Sequence, residues 1–389
     1  MSITLEVSVA EALDKLTILE IKKNKISNNE KIKEIMIEYN YLYDKLNSYI
    51  YDIYDISRYY YDTLKFINLD IWELQDIFRL NQFNNDFNKN QICQNIIDLN
   101  NARFMVKNKI NIITNSNFKE QKGYHKNTAY FLSHNGIGDY ITMNGAIRFL
   151  SIFYDEFYVL VKDIHNNVNN VKLFFHDDHN IKIIPFDDDK IKLITNIINS
   201  NKLDFFVIGW LYKDIAKTFI RNSYLSSLIL NNNEYNHYYP FHINFYNDVN
   251  LPFNIYYDFF FLKQTEDSIH LFNNVKNFKI IFTQSKSSDY SDINLHQFID
   301  KYLLLDDYIV LSINHNYYEE SNNKYKYAKL FINLPILNYI TTIIHSDSIF
   351  IVNSCISCIV LPLFKKKLFK NINNIKIIDR ETNNILHLL

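Results

Sequence analysis

Near Asn127 the apolar residues of this chain change period, so one polypeptide has to build two kinds of architecture. Before that point apolar side chains recur on helical spacing. After it, short runs rich in Ile, Val, Phe and Tyr alternate with helical stretches. In the first part Ile3, Leu5 and Val7 alternate with polar neighbours and read as a short strand. Ser8 and Glu11 have the spacing of a capping box, with Ser8 accepting from the third amide of a helix and Glu11 reaching back. That helix is expected to run to about Asn24. A second, opening near Asn28, carries Ile32, Ile35, Tyr39, Leu42 and Leu46, a stripe that buries one face. Further helices are expected over 64–80 and 90–113.

In the second part strands are expected at 129–133, 157–161, 181–185 and 205–208, then at 279–283, 308–312, 331–333, 349–352 and 375–378. Strands alternating with helices imply parallel βαβ units with right-handed crossovers. The polar, aromatic span 231–254 separates the two sets, which suggests two doubly wound domains facing one another. Ligands of such folds bind where strand carboxyl ends meet helix N-termini.

Glycine is scarce, at five in 389 residues, while Tyr and Phe stand at 30 each. Average usage is about 7% Gly, and the surplus of Phe, Tyr, Asn, Ile and Lys is that of AT-rich codons. A glycine kept by such a chain marks a backbone that needs one. Gly136, Gly138 and Gly145, three of the five, fall within ten residues. Two of them belong to Ser133-His134-Asn135-Gly136-Ile137-Gly138-Asp139, between an expected strand and an expected helix at 140–153. In such a turn Asn135, Gly136 and Gly138 bring backbone close to a substrate, and the helix N-terminus favours negative charge. It is not the dinucleotide fingerprint, because Ile141 stands where the third glycine belongs. It carries a carboxylate, Asp139, which either takes a proton from an attacking hydroxyl or caps the helix.

A second turn, Asn353-Ser354-Cys355-Ile356-Ser357-Cys358, follows an expected strand and opens an apolar helix. Its small polar residues either hold a phosphate or simply cap. Cys355 and Cys358 have only Cys93 besides them, too few for a structural zinc site, and no thioredoxin-like unit surrounds them. They are expected as buried small residues. His176-Asp177-Asp178-His179 and Asp187-Asp188-Asp189 resemble metal ligands but flank one strand, where solvated charge runs are the usual finding. A metal-independent protein without a cofactor is expected. The loop Thr283-Gln284-Ser285-Lys286-Ser287-Ser288 offers hydroxyls and a cation to a diphosphate.

Forty-one basic against 43 acidic residues leave a formal charge of −2, with no basic excess for nucleic acid. The N-terminus is polar and acidic, and the apolar stretch 349–364 is interrupted and too short for a bilayer. No signal or transmembrane segment is expected, so the protein reads as soluble and in a reducing compartment.

Two resemblances follow from these residues. The run SVAEALDKLTILEIK at 8–22 resembles the opening of a small family of unassigned function found in bacterial surface-polysaccharide settings. Arg103, Lys107, Ile110-Asn111 and Glu120-Gln121-Lys122-Gly123-Tyr124 match that family's closing pattern in order. This resemblance covers 1–124 and imports no activity. Residues 125–389 are similar to GT-B glycosyltransferases of the heptosyltransferase-like group, which includes proteins of giant DNA viruses. The resemblance implies a helical domain at 1–124, an acceptor-side Rossmann-like domain at 125–255 and a donor-side one at 256–389, with a central cleft. It implies transfer of a sugar from a nucleotide-diphosphate donor to a glycan or glycoconjugate hydroxyl, inverting and without metal, the donor being a substrate. Gly138-Asp139 matches the group's catalytic Gly-Asp, and Ser285 and Lys286 fit its donor-phosphate loop. Asn333-Leu334 matches an Asp-Leu ahead of the nucleotide-base contact.

Asn353, Ser354 and Ser357 fall on the group's Asp-Ser/Thr-Gly-x-x-His donor turn, with Asn353, Cys355 and Cys358 departing from it. Heptose specificity is therefore not carried over. A cytoplasmic place follows, in host cytoplasm or virion for a viral protein, and an oligomer would form through the N-terminal helices. An inactive nucleotide- or glycan-binding scaffold, and an interaction protein working through its helices, are the alternatives.

Overall fold

A computed structural model describes residues 6–82, 86–118, 120–121, 123, 126–164, 166–228, 240–287, 292–382 and 384–386. The strand expected at Ile3 and Leu5 lies outside these residues, as do Lys122 and Tyr124 of the closing pattern and Ser288 of the phosphate loop.

Four helices come first: α1 (Val9–Lys25), α2 (Asn29–Ile50), α3 (Ile56–Arg79) and α4 (Asp86–Ile113). Ser8 Oγ accepts from Glu11 N at 3.1 Å, and Lys22, Lys23 and Lys25 complement the dipole in the last turn of α1. The capping box is half made. The Glu11 carboxylate does not reach back; it pairs with Lys107 of α4. The α2 stripe is likewise shallower than expected, because Ile32, Ile35, Tyr39 and Leu42 are half-buried and only Leu46 and Ile50 are buried.

The residues of the family-like pattern form a polar seam through this layer. Asp14, buried in α1, accepts from Arg103 Nε and from Asn68 Nδ2, each at 2.8 Å. Asn68 also donates to Thr17 Oγ1 at 2.8 Å, Asn111 Oδ1 accepts from Ala10 N at 3.3 Å, and Lys107 pairs with Glu120 at 2.7 Å. These three groups of bonds tie α1 to α3 and α4 and give the buried polar side chains partners within the layer.

The alternating part forms two sheets. The first runs β3-β2-β1-β4, all parallel, from β1 (Thr128–Leu132), β2 (Glu156–Lys162), β3 (Ile181–Phe186) and β4 (Asp204–Val207). The second runs β6-β5-β7-β8-β9, from β5 (Lys279–Gln284), β6 (Tyr308–Ser312), β7 (Ser348–Val352), β8 (Asn374–Ile378) and β9 (Ile385–Leu386), with only β9 antiparallel. Two Rossmann-like units that face each other across a cleft, preceded by a helical layer, make this a GT-B-like α/β fold.

Three expected elements differ. The helix expected over 64–80 begins eight residues earlier, at Ile56, where Asp55 caps it by accepting from Ser57 N. Residues 331–333 are not a strand: a 3-10 turn (Lys329–Phe331) is followed by Asn333 at φ 55, whose amide donates to Ile313 O at 3.0 Å. The helix expected at 140–153 is two, α5 (Ile137–Thr142) and α6 (Asn144–Ser151). They kink at Met143, where Thr142 O accepts the Tyr246 hydroxyl and Asn144 Oδ1 takes the Phe261 amide.

The helical layer shares its core with the sheets. Phe66 of α3 meets Phe149 and Phe259 edge-on, and Tyr59 stacks on Phe261 at 5.0 Å. Beneath them Asp177 holds both guanidinium arms of Arg148, at 2.8 and 2.9 Å, and Asp178 pairs with Lys109 of α4 at 2.5 Å. These two aspartates are buried ion-pair partners, not the solvated run expected of them. Asp187 caps the next helix by accepting from Lys190 N at 2.9 Å, and Asp188 pairs with Lys162. Among the described residues no helix is long and apolar enough to cross a membrane.

Candidate active site

After β3 the chain crosses to the far side of β1, and after β6 it crosses to the far side of β5. The switch points therefore lie between β1 and β4 and between β5 and β7, where strand ends open a crevice. They face one another. A cavity of about 600 Å³ lies between them, lined by Gly136, Ile137, Gly138, Asp139 and Thr142 from the first unit. Gln284, Lys286, Ser287, Asn353, Ser354, Cys355, Cys358 and Arg380 line it from the second, and Phe241 and His242 from the segment between. The units touch at its floor, where a methyl placed on Gly138 would stand 3.6 Å from Cys355 Cα.

Asp139 is the third residue of α5, and its Oδ2 accepts from Gly136 N at 3.0 Å. The capping geometry is thus present, on a carboxylate that also lines the cavity. Burial raises its pKa to about 6 and the Gly136 amide pulls the other way. An ionised group of that basicity is matched to accepting a proton near neutrality. Asn135 does not line the cavity. Its Oδ1 accepts from Tyr212 OH at 2.8 Å and its carbonyl from Asn167, which fixes the turn from behind.

On the opposite wall Ser354 opens the helix Cys355–Lys365. Its Oγ donates to Gln284 Oε1 at 2.6 Å and its amide to Ser357 Oγ at 3.1 Å, tying β5 to the helix start. Ser357 is buried behind this turn, 3.0 Å from Asn353 Oδ1, and supports it without lining the cavity. Asn314 Oδ1 accepts the amides of Ser285 and Lys286 at 2.9 and 3.1 Å, and Ser285 Oγ donates to Asp292 at 2.6 Å. Ser285 is thereby turned inward while the exposed Lys286 lines the cavity. Asn333 sits beyond the end of β6, outside the lining, held by its left-handed backbone.

Cys358 receives a hydrogen bond from Thr142 Oγ1 at 3.4 Å, and burial pushes its thiol up to about 12 and the Cys355 thiol upward. Both are neutral, small residues at neutral pH. Among the described residues no three His, Cys, Asp or Glu side chains group to hold a metal ion.

Arg380, Phe241, His242 and Thr142 were not foreseen. Arg380 had a signal: it follows the last parallel strand, and strand carboxyl ends point to the crevice. Asp379 fixes its loop by accepting the amides of Glu381 and Thr382 at 3.0 and 2.8 Å. Phe241 and His242 lie in the span read only as a divider, where no period marks them.

Residues 3–142 match the model of a family described as a family of unknown function (DUF6165), a match that extends through β1 and α5. No curated protein sequence matches the chain significantly. Among solved structures, the Escherichia coli ADP-heptose lps heptosyltransferase II is similar, at 11% identity and a TM-score of 0.39, over 64% of this chain and 91% of that one.

Proposed function

We propose that the protein is a glycosyltransferase that moves a sugar from a nucleoside-diphosphate donor to the hydroxyl of a glycan or glycoconjugate. One observation carries the reading: a single cavity has a carboxylate of raised basicity, Asp139, on one wall and Lys286, Arg380 and a helix N-terminus on the other. The cationic wall suits a diphosphate, through charge and through main-chain N–H groups at the helix start. The carboxylate wall suits the acceptor. Asp139 takes the proton of the attacking hydroxyl as its oxygen bonds to the anomeric carbon. The bond from that carbon to the diphosphate oxygen breaks, and the electron pair leaves with the nucleoside diphosphate. Lys286, Arg380 and the amides at Cys355 stabilise the leaving charge. One displacement of this kind inverts the anomeric centre. Asn353 and Ser354 position the donor, with Ser285 and Ser357 holding that wall from behind.

The test is a thermal-shift screen with UDP-, GDP- and ADP-sugars, followed by donor hydrolysis and transfer assays on any donor that raises the melting temperature. Binding with no turnover under any condition favours the scaffold reading, which the Asp139 cap geometry would then explain. The absence of any stabilising nucleotide favours the interaction protein. Transfer is expected to survive EDTA; loss on EDTA with recovery on Mn²⁺ would replace the cationic-wall mechanism with a metal-bound diphosphate.

A further inference from the structure

We infer that the acceptor is a glycan of at least two sugar rings, whose outer ring stacks on Trp210. The inference rests on the transferase reading and concerns the carboxylate side of the same site.

Trp210 follows β4, at the same switch point as Asp139, and is 73% exposed. An indole left in water is usually carried on a loose loop. Here the backbone beneath it is fixed. His134 Nε2 accepts the amides of Trp210 and Leu211 at 3.0 and 3.4 Å. Gly209 has φ +71, and a Cβ there would stand 2.0 Å from His134 Nε2, so no other residue lets this backbone close on the ring. The Gly209 amide donates to Asp248 Oδ2 at 2.7 Å, and Lys213 pairs with the same carboxylate at 3.0 Å. This fixes the point at which the indole leaves the backbone, and its edge contact with His134 leaves most of the ring in water.

Buried rings connect it to the cavity wall. The His134 ring meets Trp210 edge-on at 5.5 Å and Phe245 at 5.1 Å, and lies 6.1 Å from Phe241. Phe241 packs on Phe245 at 4.2 Å, is 46% exposed and lines the cavity beside Asp139. Two exposed aromatic faces, Phe241 at the cavity and Trp210 outside it, are thus joined from beneath by the buried His134 and Phe245 rings. A charged acceptor would call for unbalanced charge beside these faces, where Lys213 and Asp248 instead pair with each other, and an acyl chain would call for an enclosed trough. A pyranose ring offers an apolar C–H face with hydroxyls at its rim, the shape that an open aromatic face receives. With the reacting ring beside Phe241 and Asp139, the next ring outward meets Trp210.

The test compares wild type, Trp210→Ala and Trp210→Phe, each assayed with the stabilising donor and an array of acceptors of one to four sugar rings. Each variant's transfer is normalised to its own donor hydrolysis. Trp210→Ala is expected to raise KM for acceptors of two or more rings about tenfold more than for single-ring acceptors, with kcat little changed and Trp210→Phe recovering most of the loss. Equal KM values in wild type and Trp210→Ala for every acceptor overturn the Trp210 subsite. Donor hydrolysis with no transfer to any glycan of the array overturns the glycan acceptor. No hydrolysis and no transfer by the wild type overturns the transferase reading itself. Because the replaced side chain is solvent-exposed, the melting temperature should not move; a fall would assign Trp210 a structural role and overturn the inference.

Discussion

Asp139 shows how one residue serves two readings that the sequence left open. Its Oδ2 closes the first turn of α5 onto Gly136, and the same carboxyl lines the cavity. Asn accepts a hydrogen bond from an amide but cannot hold a proton taken from a hydroxyl. Asp139→Asn is therefore expected to cut turnover about 10²-fold or more while leaving nucleotide-sugar affinity nearly intact. Unchanged turnover would reduce Asp139 to a cap. In wild type kcat/KM should rise with pH through about 6, the carboxyl's pKa, and that acidic limb should vanish from the residual rate of Asp139→Asn. Stability moves in the opposite sense. Because the fold raises this pKa, its contribution is present below about pH 4 and lost as pH rises through about 6. The Asn variant should thus gain melting temperature relative to wild type on going from pH 4 to pH 8. The turn was legible because a glycine-poor chain marks it; Arg380 could have been found from its place after the last parallel strand, but Phe241, one phenylalanine among 30, carries no pattern.

The repeating elements were legible because each strand is a short apolar run between polar turns, and their expected ends lie within about a residue of those found. The departures are places where side chains override period. The Thr142 carbonyl accepts the Tyr246 hydroxyl and the Asn144 side chain takes the Phe261 amide where what reads as one helix kinks, and Asn333 adopts a left-handed turn that no apolar pattern announces. Gly145 belongs to this scale. The scarcity of glycine marks it, yet it serves packing and not a ligand: a Cβ there would stand 2.5 Å from Ile255 O and 3.0 Å from Tyr256 O, where α6 crosses the helix Asn254–Asp258. Backbone carbonyls cannot swing aside as a flexible side chain can. Gly145→Ala is expected to destabilise by about 1–3 kcal/mol or more in urea unfolding. A cost below about 0.5 kcal/mol, the scatter of ordinary surface changes, would show that the crossing relaxes freely.

For the whole molecule, the open matter is whether the helical layer is an appendage or part of one cooperative fold. The change of period near Asn127 suggests an appendage, whereas the family match runs on to residue 142, through β1 and α5. Packing argues for integration: α3 and α4 bury Tyr59, Tyr60, Phe66 and Lys109 against α6, the 259–261 segment and the loop before β3. The decisive contact is the Lys109–Asp178 pair, with both side chains almost wholly buried. Burial alone would raise the Asp178 carboxyl, but Lys109 and then Arg148 more than offset it, so the pKa ends below the ordinary carboxylate value. Its stabilisation is therefore present above about pH 4 and lost as pH falls further. Lys109→Met leaves a buried carboxylate with one cation fewer, and breaking such a pair from one side costs about 3–5 kcal/mol. Adding Asp178→Asn removes the stranded charge and should recover much of that loss at pH 7.

The two tryptophans report the layers separately, Trp72 from α3 and Trp210 from the loop after β4. In Trp72→Phe and Trp210→Phe proteins, unfolding followed by fluorescence should give coincident midpoints, with Lys109→Met lowering both together. If the midpoints separate, or only the Trp72 signal shifts, the helices are an appendage that docks on the two-sheet body instead of folding with it.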